Sequence, residues 1–281
     1  MIATVAWTCP SCRGAVTTPY CPECGERPLR PRELTLRGLG EQVFESLTSI
    51  DGRLLRSFRT LVTRPGRLTV AFLEGRRTPY LGPVALFLVA NVLFFATESL
   101  TGGTVFSTPL ASHLQTQPWS PLARTLVADR LATLQTTAAL YAPRFDTAVA
   151  LHARSLILAM AVPFAILAGL VFRRGRHPFA AHAVFALHFY AFTLLLLSVG
   201  TLVPAVTMLD GGGRSTSDAL DKVLSIALLT ACGIYLYVAS GAVYGGGRRS
   251  RVLRSIVLTV AAAAIVLSYR FALLLLTLYS A

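Results

Sequence analysis

Lysine is all but missing from this chain: of its 26 basic residues only Lys222 is not an arginine, and the acidic residues number 13. Charge of either sign is sparse. Charged residues fill 14% of 281 positions and hydrophobic ones 54%, with a mean hydropathy of +0.60, which sets aside an ordinary soluble domain and makes a membrane protein the first class to test. The first 20 residues lack an apolar run behind a basic stretch, so no cleaved secretory signal is expected and the N-terminus is expected to persist. Catalytic signatures are missing as well. There is no nucleophile elbow, no phosphate-binding glycine-rich loop, no HExxH helix and no carboxylate pair inside an apolar run, so an enzyme is the weakest functional reading. Repeats of fixed period and long low-complexity tracts are also lacking.

Five apolar runs are present, at 81–100, 155–172, 179–208, 223–244 and 252–279. Crossing roughly 30 Å of hydrocarbon takes about 20 helical residues, so each is a candidate span. Pro83 stands where a helix start tolerates it. The third run holds Gly200 and Pro204 and is long enough to be tilted, kinked or partly outside the bilayer. Flanking charge sets the orientation, because Lys and Arg are enriched in cytoplasmic loops. Twelve arginines precede the first run; Arg173, Arg174 and Arg176 follow the second, and Arg248, Arg249, Arg251 and Arg254 follow the fourth. Nineteen of the 26 basic residues thus share one side, expected to be the cytoplasm. The 210–222 segment sets Asp210, Asp218 and Asp221 against Arg214 and Lys222, and together with the sparsely charged 101–154 stretch suits the outside. The expected fold class is an all-α polytopic membrane protein. Its five-helix transmembrane bundle, 81–281, would follow a basic cytoplasmic segment, 29–80, and a small N-terminal module, 1–28, with the C-terminus outside.

In the basic segment, Leu54, Leu55, Phe58, Leu61 and Val62 fall on one helical face, with Arg53, Arg56 and Arg59 off it. Pro65-Gly66 ends that helix before LTVAFLEG begins another. A basic amphipathic helix beside a span either lies on anionic lipids of the inner leaflet, each arginine contributing roughly 1 kcal/mol, or packs on the protein's own cytoplasmic face. Nucleic acid is a weaker partner, because topology already accounts for basic residues beside spans. On the outside, residues 119–152 read as two amphipathic helices broken at Pro143, either forming a small cap or lying on the outer surface.

The first 28 residues contain TCPSCRGAVTTPYCPECGE. Cys9 and Cys12 form one CPxC pair, Cys21 and Cys24 another, with eight residues between. Two residues between thiolates let one turn aim both sulfurs at an ion, and two such turns close a tetrahedral shell, as in a zinc ribbon. Closure to solvent means a structural ion. Disulfides are disfavoured by a cytoplasmic N-terminus, and a redox CxxC pair by the lack of a surrounding βαβ pattern. Spacing alone leaves zinc and a rubredoxin-like iron both open. So short a module buries little apolar surface, whereas structural zinc contributes about 10 to 16 kcal/mol of apparent binding energy, so the ion would hold it folded. Gly25, directly after Cys24, supplies the positive φ such a turn favours; Arg13 occupies the equivalent place in the first turn. Cys232, within the fourth run, is expected to be a packing residue.

Polar residues inside the runs are the remaining candidates. Arg270 lies deep in the last run, where it either snorkels or faces an interior partner, Glu98 near the end of the first run being the obvious one. Asn91 suits an interhelical hydrogen bond. His182 and His188 are six residues apart, about 120° in helical projection, so a straight helix cannot aim both at one ion. Each is expected to bond a neighbouring helix or line a cavity.

Taken together, CPxC…CPECG, TLVTRPGRLTVAFLEGRRTPYLGPVALFL, and VPFAILAGLVFRR followed by HAVFALHFYAF resemble a family of bacterial inner-membrane proteins built around a domain of unknown function. The likeness runs from residue 9 to about residue 195, and its most specific part is the RPG…FLEGRR…Y..P block. The family often carries a further histidine where this chain has Tyr190. The resemblance implies a zinc-ribbon head on a multi-pass bundle and brings no activity with it. Two functions stay in view: an accessory or sensing protein whose cytoplasmic head docks a protein partner, and a transporter or lipid-handling protein using a polar cavity near His182, His188 and Arg270.

Overall fold

Each long apolar run becomes helix, and contacts between helix ends give the order of crossing. The computed structural model describes residues 6–28, 52–175, 177–209 and 218–280. Expectations for 29–51, for Arg176 and for the 210–217 loop lie outside the described residues. Two short strands, β1 (Trp7–Thr8) and β2 (Ala15–Val16), pair antiparallel at the N-terminus. Ten α-helices follow among the described residues: α1 (Arg53–Thr63), α2 (Arg67–Leu73), α3 (Pro83–Thr101), α4 (Leu110–Gln115), α5 (Ser120–Thr133), α6 (Ala138–Leu156), α7 (Ala161–Val171), α8 (Phe179–Leu209), α9 (Asp218–Tyr244) and α10 (Arg248–Ser280).

Five helical stretches have the length and composition to cross a membrane: α3, the joined α6–α7 rod, α8, α9 and α10. The protein is an all-α polytopic bundle. α3 and α8 run parallel, since Val84 packs beside Val184 at one end and Gly103 meets Thr201 at the other. α9 returns, its last residue Tyr244 bonding His182 near the start of α8, and α10 sets out again from there, with Arg254 over Phe172. Successive spans therefore alternate in direction. α8 is central; Ala181, Val184, Phe185, Phe189 and Ala191 are all buried, and Phe164 of α7 stacks on Phe189 with ring centroids 4.8 Å apart. α9 and α10 instead expose Ile226, Ile234, Ile256 and Val260. Unshielded branched side chains on the rim of a bundle belong against lipid, where all backbone groups are satisfied within the helices.

The second span departs from expectation. In place of a break at Pro143 and a separate span from 155, one rod runs Ala138–Val171, 34 residues or about 51 Å, longer than the roughly 30 Å of hydrocarbon it would need to cross. Pro143 lies within α6 and is exposed, so the carbonyl deprived of its N–H faces solvent. The chain breaks earlier, at Gln135, with φ 49°. The rod tightens into a 3-10 turn at Ile157–Met160. Two carbonyls at this point receive side-chain donors from neighbouring helices: Tyr269 donates its hydroxyl to Ala153 O at 2.9 Å, and Asn91 Nδ2 to Arg154 O at 3.4 Å.

The cap formed by α4, α5 and the start of α6 closes around the end of α10. Arg130 Nε and the Tyr141 hydroxyl both donate to Leu278 O, at 3.0 and 3.2 Å, which occupies a carbonyl left free in a last helical turn.

Candidate metal centre and the polar groups of the bundle

The two cysteine turns have the same backbone. Cys9 N–H donates to Gly14 O and Arg13 N–H to Cys9 O; twelve residues later Cys21 N–H donates to Glu26 O and Gly25 N–H to Cys21 O. The fifth residue of each turn is left-handed, Arg13 at φ 64° and Gly25 at φ 70°. Arginine thus adopts what the second turn assigns to glycine, at a conformational cost of about 1 kcal/mol. Trp7 Nε1 donates to Thr18 O at 2.9 Å and pins the connecting loop.

These turns bring the four sulfurs of Cys9, Cys12, Cys21 and Cys24 within 4.8 Å of one another, with Cys9–Cys24 and Cys12–Cys21 at 3.4 Å. A tetrahedral ion with bonds of about 2.3 Å to sulfur holds its ligands about 3.8 Å apart, so the set fits one ion. Burial pushes the Cys9 thiol up, but backbone N–H groups of Cys12 and Ser11 outweigh it and hold the thiol down at about 7. At Cys12 the Gly14 N–H pulls down, yet the Cys21 and Cys9 sulfurs outweigh it and push the thiol up to about 12. One thiolate forms readily and its neighbours resist following. A cation among them removes that resistance, so four cysteines so placed can hold a metal.

Glu26 fastens this head to the bundle. It is 3% exposed, and its Oε2 accepts from Ser11 Oγ at 2.7 Å and from the backbone N–H groups of Arg77 and Thr78, both at 3.1 Å. Sequence reading passed over this residue, because an acid after CPxCG carries no periodic or motif signal.

The segment it grips is seated in turn. Gly66, left-handed at φ 82°, lies so close to α9 that an added Cβ would be 2.7 Å from Ala239 O. Thr69 Oγ1 and His188 Nδ1 meet at 2.8 Å, Ser57 Oγ accepts from Leu81 N–H, and the Arg77 guanidinium lies 4.5 Å over the Phe72 ring. α1 splits its apolar stripe: Leu61 is buried and Leu54 and Phe58 pack on the core, while Leu55 (76% exposed) and Val62 (51%) stand out beside Arg56 and Arg59.

The intramembrane polar residues gather at two ends. At the head end His182 Nδ1 meets the Tyr244 hydroxyl at 2.8 Å, with Phe172 stacked on Tyr244 at 3.9 Å, while His188 turns to α2. At the far end Glu98 Oε1 accepts from Val105 and Phe106 N–H, and Arg270 donates to Val105 O. Glu98 and Arg270 therefore meet through one peptide rather than in a direct ion pair. Cys232 packs against the core, 3.9 Å from Thr193 Oγ1. Tyr190 is buried between Phe164 and Phe189, its hydroxyl without a hydrogen-bond partner among the described residues. His113 of α4, missed in the sequence because a histidine in a short loop helix has no pattern around it, is fully buried and takes the Trp119 indole N–H on Nδ1 at 3.2 Å. Burial first, and then the Arg270 charge, hold its imidazole down at about 4 against a weaker upward pull from the Thr108 backbone.

Residues 51–95 match a family described as a protein of unknown function, DUF3667. The match covers α1, α2 and the first part of α3, and so includes Gly66, Thr69 and the Arg77-Thr78 grip. No curated protein matches the chain. No solved structure matches it either.

Proposed function

We propose that this is a bacterial inner-membrane protein whose N-terminal head, held by one zinc ion on Cys9, Cys12, Cys21 and Cys24, faces the cytoplasm and works as a docking or sensing module without chemistry of its own. The distribution of arginines supports that orientation, which leaves the C-terminus outside. The exposed Leu55 and Val62 beside Arg56 and Arg59 suit a helix edge resting on anionic inner-leaflet lipid. The observation that carries the reading is Glu26: a carboxylate immediately after the last metal-turn residue grips the backbone of Arg77 and Thr78. Whether the head is folded then bears directly on the position of α2 and, through Thr69, on His188 in the central helix.

The reading is tested by photo-crosslinking in cells from Tyr20, which is 58% exposed on the head. A discrete partner should be captured by the wild-type chain and lost when Cys9 and Cys21 are replaced by serine, while the protein still inserts. An unchanged set of crosslinks after that double substitution removes the reading. Metal content should be one zinc per chain; iron at that stoichiometry would refute the choice of ion. The cavity reading is the weaker one here, because His182 and His188 bond to different elements at one end while Arg270 and Glu98 meet at the other.

A further inference from the structure

Arg154 stands in an unusual place for a cation. It lies in the rod Ala138–Val171, on the outer wall of the bundle, where Leu151, Leu158 and Val92 are also exposed. Its own carbonyl accepts from Asn91, so its backbone is level with a residue about 12 Å along α3 from Pro83, well inside the hydrocarbon if α3 spans it. The side chain reaches toward the far end of α3, its guanidinium 5.9 Å from the Phe95 ring centroid. It makes no hydrogen bond or ion pair with another described residue; the acid whose charge it feels, Glu98, is buried and already accepts from Val105 and Phe106.

A groove opens beside it, lined by Asn91, Val92, Phe95, Ala96, Ser99 and Arg154. Its floor is apolar. Its polar atoms are the guanidinium and the Ser99 hydroxyl toward one end, and Asn91 Oδ1, buried without a hydrogen-bond partner among the described residues, deeper in. An arginine on a lipid-facing wall is costly unless an anion or water meets it, and a guanidinium pairs with phosphate through two parallel N–H···O bonds. A molecule offering a phosphate to the guanidinium, with a hydrocarbon chain along the apolar floor, matches that order of groups. We propose that this groove is a phospholipid site at the end of the bundle remote from the cysteine head, with Arg154 holding the phosphodiester and Val92, Phe95 and Ala96 receiving an acyl chain.

The test uses the full-length protein, delipidated in a neutral detergent and titrated with phosphatidylglycerol, bound lipid being counted by native mass spectrometry. Diacylglycerol of the same chains and inorganic phosphate serve as separate arms. The wild type should retain one phosphatidylglycerol at low excess and neither control. Arg154→Ala should weaken that adduct by about ten-fold or more, the loss of a charge-assisted contact, with Arg154→Lys between. Ala96→Trp fills the groove from its exposed side while leaving the arginine in place, and should abolish the adduct even if Arg154→Ala fails to fold. Equal retention of diacylglycerol, capture of phosphate alone, or an adduct unchanged in Ala96→Trp overturns the proposal. So does a dimer that disappears in Ala96→Trp, which would put a second copy of the chain in the groove.

Discussion

Replacing Glu26 separates the head from the bundle without touching any of the four cysteines. In Glu26→Ala three donors lose their acceptor at once: Ser11 Oγ at 2.7 Å and the N–H groups of Arg77 and Thr78, each at 3.1 Å. Hydrogen bonds to a charged group contribute about 1.5 to 3 kcal/mol each, and a buried donor left unmade costs about 1 to 3. Glu26 is 3% exposed, so little solvent screening reduces these figures. The contributions are not additive, and water can reach the freed amides once the head lifts, which leaves about 3 kcal/mol for the docked state. That is roughly a hundred-fold shift in the docking equilibrium. Amide hydrogen exchange reads it directly, because the Arg77 and Thr78 amides are the groups the carboxylate protects. Their exchange should accelerate by about two orders of magnitude, and trypsin should cut faster after Arg76 and Arg77. Metal content should remain that of the wild type. Glu26→Gln, which keeps an acceptor oxygen and loses the charge, should fall between. Unchanged exchange at 77 and 78 in Glu26→Ala would show that other contacts hold the head, and lost metal would show that Glu26 supports the cysteine turn itself; either refutes the reasoning.

Gly66→Ala should lower stability by at least about 2 kcal/mol in thermal melts, since φ 82° is strained for alanine and the new Cβ would sit 2.7 Å from a helix backbone oxygen that has no room to move. Gly25→Ala meets open space, so only φ 70° opposes it, and the chelator concentration that unfolds the head should drop modestly, by an amount equivalent to about 1 kcal/mol. Arg13→Gly should move the same midpoint up, because its φ of 64° no longer strains a side chain. A fall in midpoint would mean that the Arg13 side chain itself holds the turn. For His113, the folded value of about 4 lies below the ordinary 6.5, so the stability it supplies is complete above pH 6.5 and is lost as pH falls toward 4. By pH 5 that loss is about 2 kcal/mol, and His113→Phe should flatten this part of the pH–melting curve. An identical slope in the variant would place the acid sensitivity elsewhere.

What the chain discloses about itself depends on the range of the physics involved. Apolar length is a local property, and five runs of it led to five helices able to cross a membrane. Helix boundaries were less legible. Pro143 reads as a break, yet an exposed carbonyl loses little when its partner goes, whereas Pro163, which drew no attention in the sequence, follows the 3-10 turn at Ile157–Met160 and has no N–H for the Ala159 carbonyl. Beside this turn Tyr269 and Asn91, on other helices, donate to the carbonyls of Ala153 and Arg154, contacts that no local pattern marks. The clustering of the cysteine turns was legible for the opposite reason, since four cysteines at fixed spacing form their own neighbourhood. Glu26 combines both cases. Its place in the turn is local, but its partners are about fifty residues away, and they are backbone amides that no side-chain pattern can mark. Backbone donors give this docking a particular tolerance: Arg77 and Thr78 can change identity without losing the N–H groups the carboxylate needs, while Glu26 and the bends that present those amides cannot. The grip is therefore specified by one acidic residue on the head and by chain geometry on the bundle, and it would persist in sequences where 77 and 78 are neither arginine nor threonine.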